Sequence, residues 1–178
     1  MGYEPGDVVS GFDLPNANGS GNLSLDKVLT DVGAIVVFEC NHCPYVIGNV
    51  ERMNKAAEKA NSLGIGFVGI NSNDPVAYPE DSFENMGIFS KKNKFNLSYL
   101  HDETQEVAKK YGAVCTPDFF GYNGNLELQY RGRIRELKNL KPIESGDSEL
   151  KKAMEIIAKT NNGPKEQFPS MGCSIKWF

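Results

Sequence analysis

The sequence predicts an α/β domain with a mixed central sheet, helices on both faces, an N-terminal hairpin and a C-terminal extension. Three observations carry this. Ala34–Glu39 and Ile65–Ile70 are short runs rich in Val, Ile and Phe, as expected of strands buried on both faces. Between them Val46, Ile47, Val50, Met53, Ala57 and Ala60 recur at spacings of three and four, one face of an amphipathic helix that Gly64 ends. Later, Asp118–Tyr122 and Leu126–Arg131 flank Asn123-Gly124, a strong hairpin signal. Strand–helix–strand alternation implies a parallel pair with a right-handed crossover, and the late hairpin adds antiparallel strands.

The remaining elements follow in order. Phe12 and Leu14, an Asn/Gly-rich loop, then Leu23 and Leu25 form the first hairpin. Phe83, Met86 and Phe89 mark a helix that Asp81 or Ser82 caps, with Lys91-Lys92-Asn93-Lys94 as a solvated face. Asp102-Glu103-Thr104-Gln105 resembles a capping box opening a short helix that stops at Gly112. Asp147 or Ser148 opens a last helix, running to about Lys159 and closed by Asn162-Gly163. Residues 1–162 thus form one domain. Residues 163–178 form a tail that Gly163-Pro164 and Pro169 keep from being helical. Phe168, Met171, Ile175, Trp177 and Phe178 make this tail apolar, so it packs on the domain or on a second subunit of a homo-oligomer.

Composition bounds the function. A length of 178 residues suits one domain with a full core. A net charge of −4 offers no basic field for nucleic acid. The longest apolar run, Ala34–Phe38, is far short of a membrane span. The N-terminus has neither the basic head nor the apolar stretch of a signal peptide, so a cytoplasmic, reducing compartment is expected.

The chemistry lies in Cys40-Asn41-His42-Cys43, between the first buried strand and its helix. A helix N-terminus favours a thiolate, which is the nucleophile, and two intervening residues let both sulfurs meet within one turn. His42 adds a positive charge when protonated. Far along the chain, Cys115-Thr116-Pro117 precedes the late hairpin, and a cis Pro117 there exposes backbone on which a substrate strand can pair. The competing reading is a structural zinc clip. Zinc needs four ligands, and beyond the C-x-x-C only Cys115, Cys173, His42 and His101 are available, with no second paired motif.

Residues 5–135 resemble the thioredoxin-like superfamily, in particular its redoxin branch. The resemblance rests on Pro5-Gly6-Asp7, Phe12-Asp13-Leu14, the segment Val36–Tyr45, Tyr111–Pro117 and the closing hairpin. Cys40–Val46 together with Gly172–Trp177 is similar to a peroxiredoxin-like subgroup that carries a thioredoxin-type C-x-x-C. The resemblance implies a thioredoxin fold, Pro117 as the family's cis-proline, and dithiol chemistry without an organic cofactor or a metal. It implies that Cys40 attacks and Cys43 resolves, with Asn41, His42, Thr116 and Pro117 at the substrate. Cys115 reads either as a small core residue or as a further redox thiol, and Cys173 either as tail packing or as a further redox thiol.

The expected activity is thiol–disulfide exchange with a protein or small-molecule disulfide, recharged by a separate reductant. Two departures from the family patterns matter. Peroxiredoxins use Thr-x-x-Cys and an arginine, whereas Cys40 stands in place of that Thr and Arg131, Arg133 and Arg135 lie beyond the arginine's position. The site therefore lacks the groups that activate peroxide; a thiol peroxidase using Cys43 is the alternative reading, and a zinc-holding or scaffold domain a third. Thioredoxins also carry a buried acid, whose position falls here at about Ala34. Pro44 favours the first helical position, which makes Cys43 the cap and the thiol closest to the helix end.

Overall fold

The computed structural model describes residues 6, 8–9, 11–135, 137–138, 141–142 and 148–178; Pro5, Asp7 and Asp147 lie outside them. The first hairpin pairs β1 (Asp13–Pro15) with β2 (Asn22–Ser24), and α1 (Leu25–Val28) follows at once. The central strand β3 (Gly33–Phe38) is buried along its whole length. After it come α2 (Pro44–Ile47), α3 (Val50–Ser62), β4 (Gly66–Asn71), a 3₁₀ turn (Pro79–Asp81), α4 (Phe83–Lys92), β5 (Ser98–His101) and α5 (Glu106–Tyr111). The chain continues through β6 (Cys115–Thr116), β7 (Asp118–Asn123), β8 (Leu128–Gly132), the paired β9 (Leu137–Lys138) and β10 (Lys141–Pro142), α6 (Glu149–Thr160) and β11 (Cys173–Ser174).

The main sheet has the order β5-β4-β3-β7-β8. β3, β4 and β5 are parallel; β7 and β8 are antiparallel to their neighbours. Alternate side chains of β3 feed two cores. Ile35 and Val37 pack with Val46, Met53, Leu150 and Ile157 from α2, α3 and α6. Ala34, Val36 and Phe38 pack with Leu25, Val28, Ala108 and Tyr111 from α1 and α5. Helices therefore cover both faces, as the apolar pattern predicts.

Several local expectations are corrected. The helix expected from Val46 to Ala60 is two pieces, broken at Gly48-Asn49, where the buried Asn49 amide donates to the Tyr45 carbonyl at 2.8 Å. Gln105 does not close a capping box. It adopts left-handed backbone (φ 66°) and sends its amide to the Ser72 and Lys176 carbonyls, 2.9 Å each, while Asp102 accepts from the amides of Val107 and Ala108. The hairpin turn is longer than Asn123-Gly124: Asn123 Oδ1 accepts from the Asn125 and Glu127 amides, and Leu126 takes φ 60°. Ser82 caps α4, accepting from Asn85 N at 3.2 Å, which frees Asp81 to point elsewhere.

The tail lies on its own domain. Gln167 bridges to the backbone of β8, Ile175 is buried in the α1–α5 core, and the Ile175 amide donates to the Val114 carbonyl at 3.0 Å. Lys176 is held by Asn73 and Asp74, and Phe178 by Gln105. No helix among the described residues is long and apolar enough to cross a membrane.

Candidate active site

The C-terminal end of β3 delivers Glu39 and Cys40, and Cys43 caps α2 with Pro44 as its first residue. Cys40 and Cys43 are both buried, 1 % and 0 % exposed. Their floor is Thr116, whose hydroxyl lies 3.4 Å from Cys40 Sγ. The Cys43 thiol donates to the Thr116 carbonyl, also at 3.4 Å. The Thr116-Pro117 bond is cis.

The two thiols divide their charge unequally. Cys40 donates a hydrogen bond to Cys43, which with burial pushes the Cys40 thiol far up. The same bond pulls Cys43 well below the usual thiol range, against the effect of burial, helped by the thiol and backbone N–H of Cys173 and by Thr116. The negative charge thus favours Cys43, the cap of α2, and the S–H contact to the Thr116 carbonyl belongs to its protonated form. Because α2 spans only four residues before its break, thiol, hydroxyl and amide donors take over the work expected of a long helix dipole.

A buried polar nest flanks Cys40. Asp81 is 0 % exposed and accepts from the Asn41 amide at 2.7 Å, Asn73 Nδ2 at 2.9 Å and Asn71 Nδ2 at 3.2 Å. His42 Nδ1 lies 2.5 Å from Asp81 Oδ2, off the line of a straight hydrogen bond, and its ring stacks on Tyr78. The Asn41 side chain accepts from Tyr99 Oη at 2.7 Å and donates to the Glu80 carbonyl, so it clamps the loop. Cys40, His42 and Asp81 bring three ligand-type atoms within 4.8 Å of one another, but His42 and Asp81 already face each other.

The other expected residues separate. Cys173 on β11 pairs with Thr116 on β6 and packs against the core cluster that holds Cys40 and Cys43. Cys115 pairs with Ser174, and burial pushes its thiol up to about 12. His101 ends β5 and is buried, which lowers its basicity. Arg131 donates to the Gly112 carbonyl and lies over Phe120, Arg133 forms a two-point pair with Glu149 at 2.8 Å, and Arg135 lines a small cleft with Asn49, Pro117 and Met171, its buried Nε without a hydrogen-bond partner.

Sequence reasoning missed two acids. Asp81 was legible only as a helix cap. Ala34 is apolar core, and the buried acid is instead Glu39, whose oxygens have no hydrogen-bond partner. Burial raises its carboxyl to about 8. Gly69 makes the room: a Cβ there would fall 2.1 Å from Glu39 Oε1. The signal was present, since Glu39 ends an otherwise apolar strand run.

A conserved protein of Geobacillus kaustophilus is 36 % identical, with TM-score 0.93 over 98 % of this chain and 93 % of that one. A hypothetical protein of Sinorhizobium meliloti is 34 % identical, with TM-score 0.90 over 100 % and 97 %. The peroxidoxin BcpB of Mycobacterium tuberculosis shares the fold at 19 % identity, with TM-score 0.58 over 70 % of this chain and 81 % of that one. Comparison with curated proteins gives no match. The fold is thioredoxin-like, and the model of the AhpC/TSA family matches residues 5–137. With its cysteines at the strand–helix junction facing a cis-proline, this chain belongs to the AhpC/TSA family, a redoxin branch of the thioredoxin-like superfamily.

Proposed function

We propose that the protein is a thiol–disulfide oxidoreductase working through Cys40 and Cys43. The observation that carries this reading is that both buried thiols meet one residue at the edge of β6: Cys40 Sγ lies 3.4 Å from Thr116 Oγ1, and Cys43 Sγ lies 3.4 Å from the Thr116 carbonyl oxygen. The Cys43 thiolate attacks a disulfide of a protein or small molecule. One substrate sulfur leaves as a thiolate and takes a proton, and the other stays bonded to Cys43. Cys40 then loses its proton and attacks Cys43 Sγ, releasing the second substrate thiol and closing a Cys40–Cys43 disulfide. The His42–Asp81 pair, within 4.8 Å of Cys40 Sγ, is placed to receive that proton. An external dithiol reductant reopens the disulfide.

Trapping tests the reading. In a Cys40→Ser, Cys173→Ser protein, an aromatic disulfide reagent is expected to leave a stable adduct on Cys43. Adduct formation only on Cys40, in the matching Cys43→Ser protein, would reverse the two roles. Failure of the Cys40–Cys43 disulfide to form in oxidised glutathione would overturn the function.

A second reading is supported by the stabilised Cys43 thiolate: reduction of a peroxide at Cys43, with Cys40 condensing on the sulfenic acid to release water. Against it stand Arg131 and Arg133, committed to Gly112 and Glu149. Rapid peroxide consumption that survives Cys40→Ser but not Cys43→Ser would favour this reading.

A further inference from the structure

We propose that Cys173 is a third redox thiol, which receives the disulfide from Cys40–Cys43 as Cys43–Cys173 while the tail occupies the strand edge offered to substrates. The inference rests on the dithiol reading and extends it. Thr116 forms the edge of β6 beneath the dithiol, and β11 already fills it in antiparallel register, with Cys173 opposite Thr116 and Ser174 opposite Cys115. A substrate strand would place its own cysteine where Cys173 now sits. The approach is close: a Cβ on Gly172 would lie 2.0 Å from the Thr116 carbonyl oxygen, so only glycine brings the tail this near. Cys173 packs against the cluster containing both dithiol sulfurs.

The tail is anchored on either side of this contact. Before it, Ser170 donates to the Gly132 carbonyl; after it, Ile175 is buried and Lys176 is held by Asn73 and Asp74. The anchoring keeps Cys173 at high effective concentration beside Cys43.

The exchange balances within the chain. Starting from the Cys40–Cys43 disulfide, the Cys173 thiolate attacks Cys43 Sγ. The Cys40–Cys43 bond breaks, the Cys43–Cys173 bond forms, and Cys40 leaves as a thiolate that takes up the proton Cys173 gave up. No oxidant is consumed. Burial, together with the hydrogen bond and charge of the Cys43 thiolate, holds the Cys173 proton on in the reduced protein. Once Cys43 is in a disulfide, its charge is gone and Lys176 still favours the Cys173 thiolate. The result moves the oxidising equivalent from two fully buried sulfurs to one in the partly exposed tail, where an external thiol can attack Cys173.

Disulfide mapping tests this on the full chain in a Cys115→Ser background. The reduced protein is treated with diamide, quenched in acid, alkylated and digested with trypsin; intact mass selects monomers. Cys40 and Cys43 share the tryptic peptide 28–52, and Cys173 lies in 166–176, so the two disulfides are distinguishable. A cross-link between these peptides is expected, forming after the internal disulfide of 28–52. With Cys40→Ser added, the cross-link should become the main oxidised species. With Cys173→Ser added instead, it should vanish and the internal disulfide remain. If no cross-link forms even with Cys40→Ser, while Cys173→Ser still closes the 28–52 disulfide, the third-thiol role is overturned and the dithiol stands. If the Cys173→Ser protein fails to close that disulfide, the dithiol reading falls, and the exchange with it.

Discussion

Gly172 backs onto Thr116 so closely that the tail can reach the dithiol only with a bare backbone at that position. Gly172→Ala should lift β11 away from β6 and uncover Cys40 and Cys43. Overpacking of this kind costs about 1–3 kcal/mol, and 1.4 kcal/mol is about a factor of ten. Alkylation of the dithiol by iodoacetamide should therefore run roughly tenfold faster or more than in the parent. An unchanged rate would show that the thiols open by a route other than tail release.

Glu39 should make stability fall with rising pH. Its carboxyl is raised from 4.5 to about 8 by burial, so between these values the folded state holds a proton that the unfolded state has lost. Stability is then fullest below about pH 4.5 and declines as pH rises toward 8, by up to about 1.4 kcal/mol per pH unit. Asp118, raised from 3.8 to about 6 by burial, adds the same sign in the lower part of this window. Urea unfolding of Glu39→Gln should show a flatter profile and higher stability at pH 8 than the parent. Equal slopes in the two proteins would exclude a neutral buried Glu39.

His42 should govern the second step of exchange rather than the first. His42→Ala removes the imidazole beside Asp81 and leaves Cys43 in place. The mixed disulfide on Cys43 should form at a near-normal rate but resolve about 100-fold more slowly, the low end of what a positioned proton acceptor contributes. Stopped-flow release of an aromatic thiol separates the two phases. Slowing of the first phase alone would assign His42 to activation of the nucleophile.

Much of the architecture was legible because burial writes itself into periodicity. The apolar run of β3 and the α3 face foretold which strand is central and which helix covers it, and Ser148 does cap the last helix, with Lys151 N donating to its hydroxyl. The misreadings share a physical cause: polar side chains were recruited by partners distant in sequence. Asn49 breaks a periodic helix through a bond to Tyr45, Gln105 leaves its cap to hold the tail, and Asp81 turns from α4 to Asn41, Asn71 and Asn73. At the site, the C-x-x-C and its facing Thr116-Pro117 were readable from local motif. The meeting of Cys173 with Cys43 was not, because it depends on where a non-helical tail crosses the sheet edge.

Redox titration of the Cys40–Cys43 pair tests the central claim most directly. In a Cys115→Ser, Cys173→Ser protein, only these two thiols remain. Equilibrated in glutathione buffers and quenched for mass analysis, they should titrate together as one two-electron couple. Stabilisation of the Cys43 thiolate favours the reduced form, so the midpoint should lie above the roughly −270 mV of thioredoxin. Loss of the couple on further replacing either Cys40 or Cys43 with Ser would complete the result. A protein that stays fully reduced across the series, or that forms only glutathione adducts without a Cys40–Cys43 disulfide, would contradict the account.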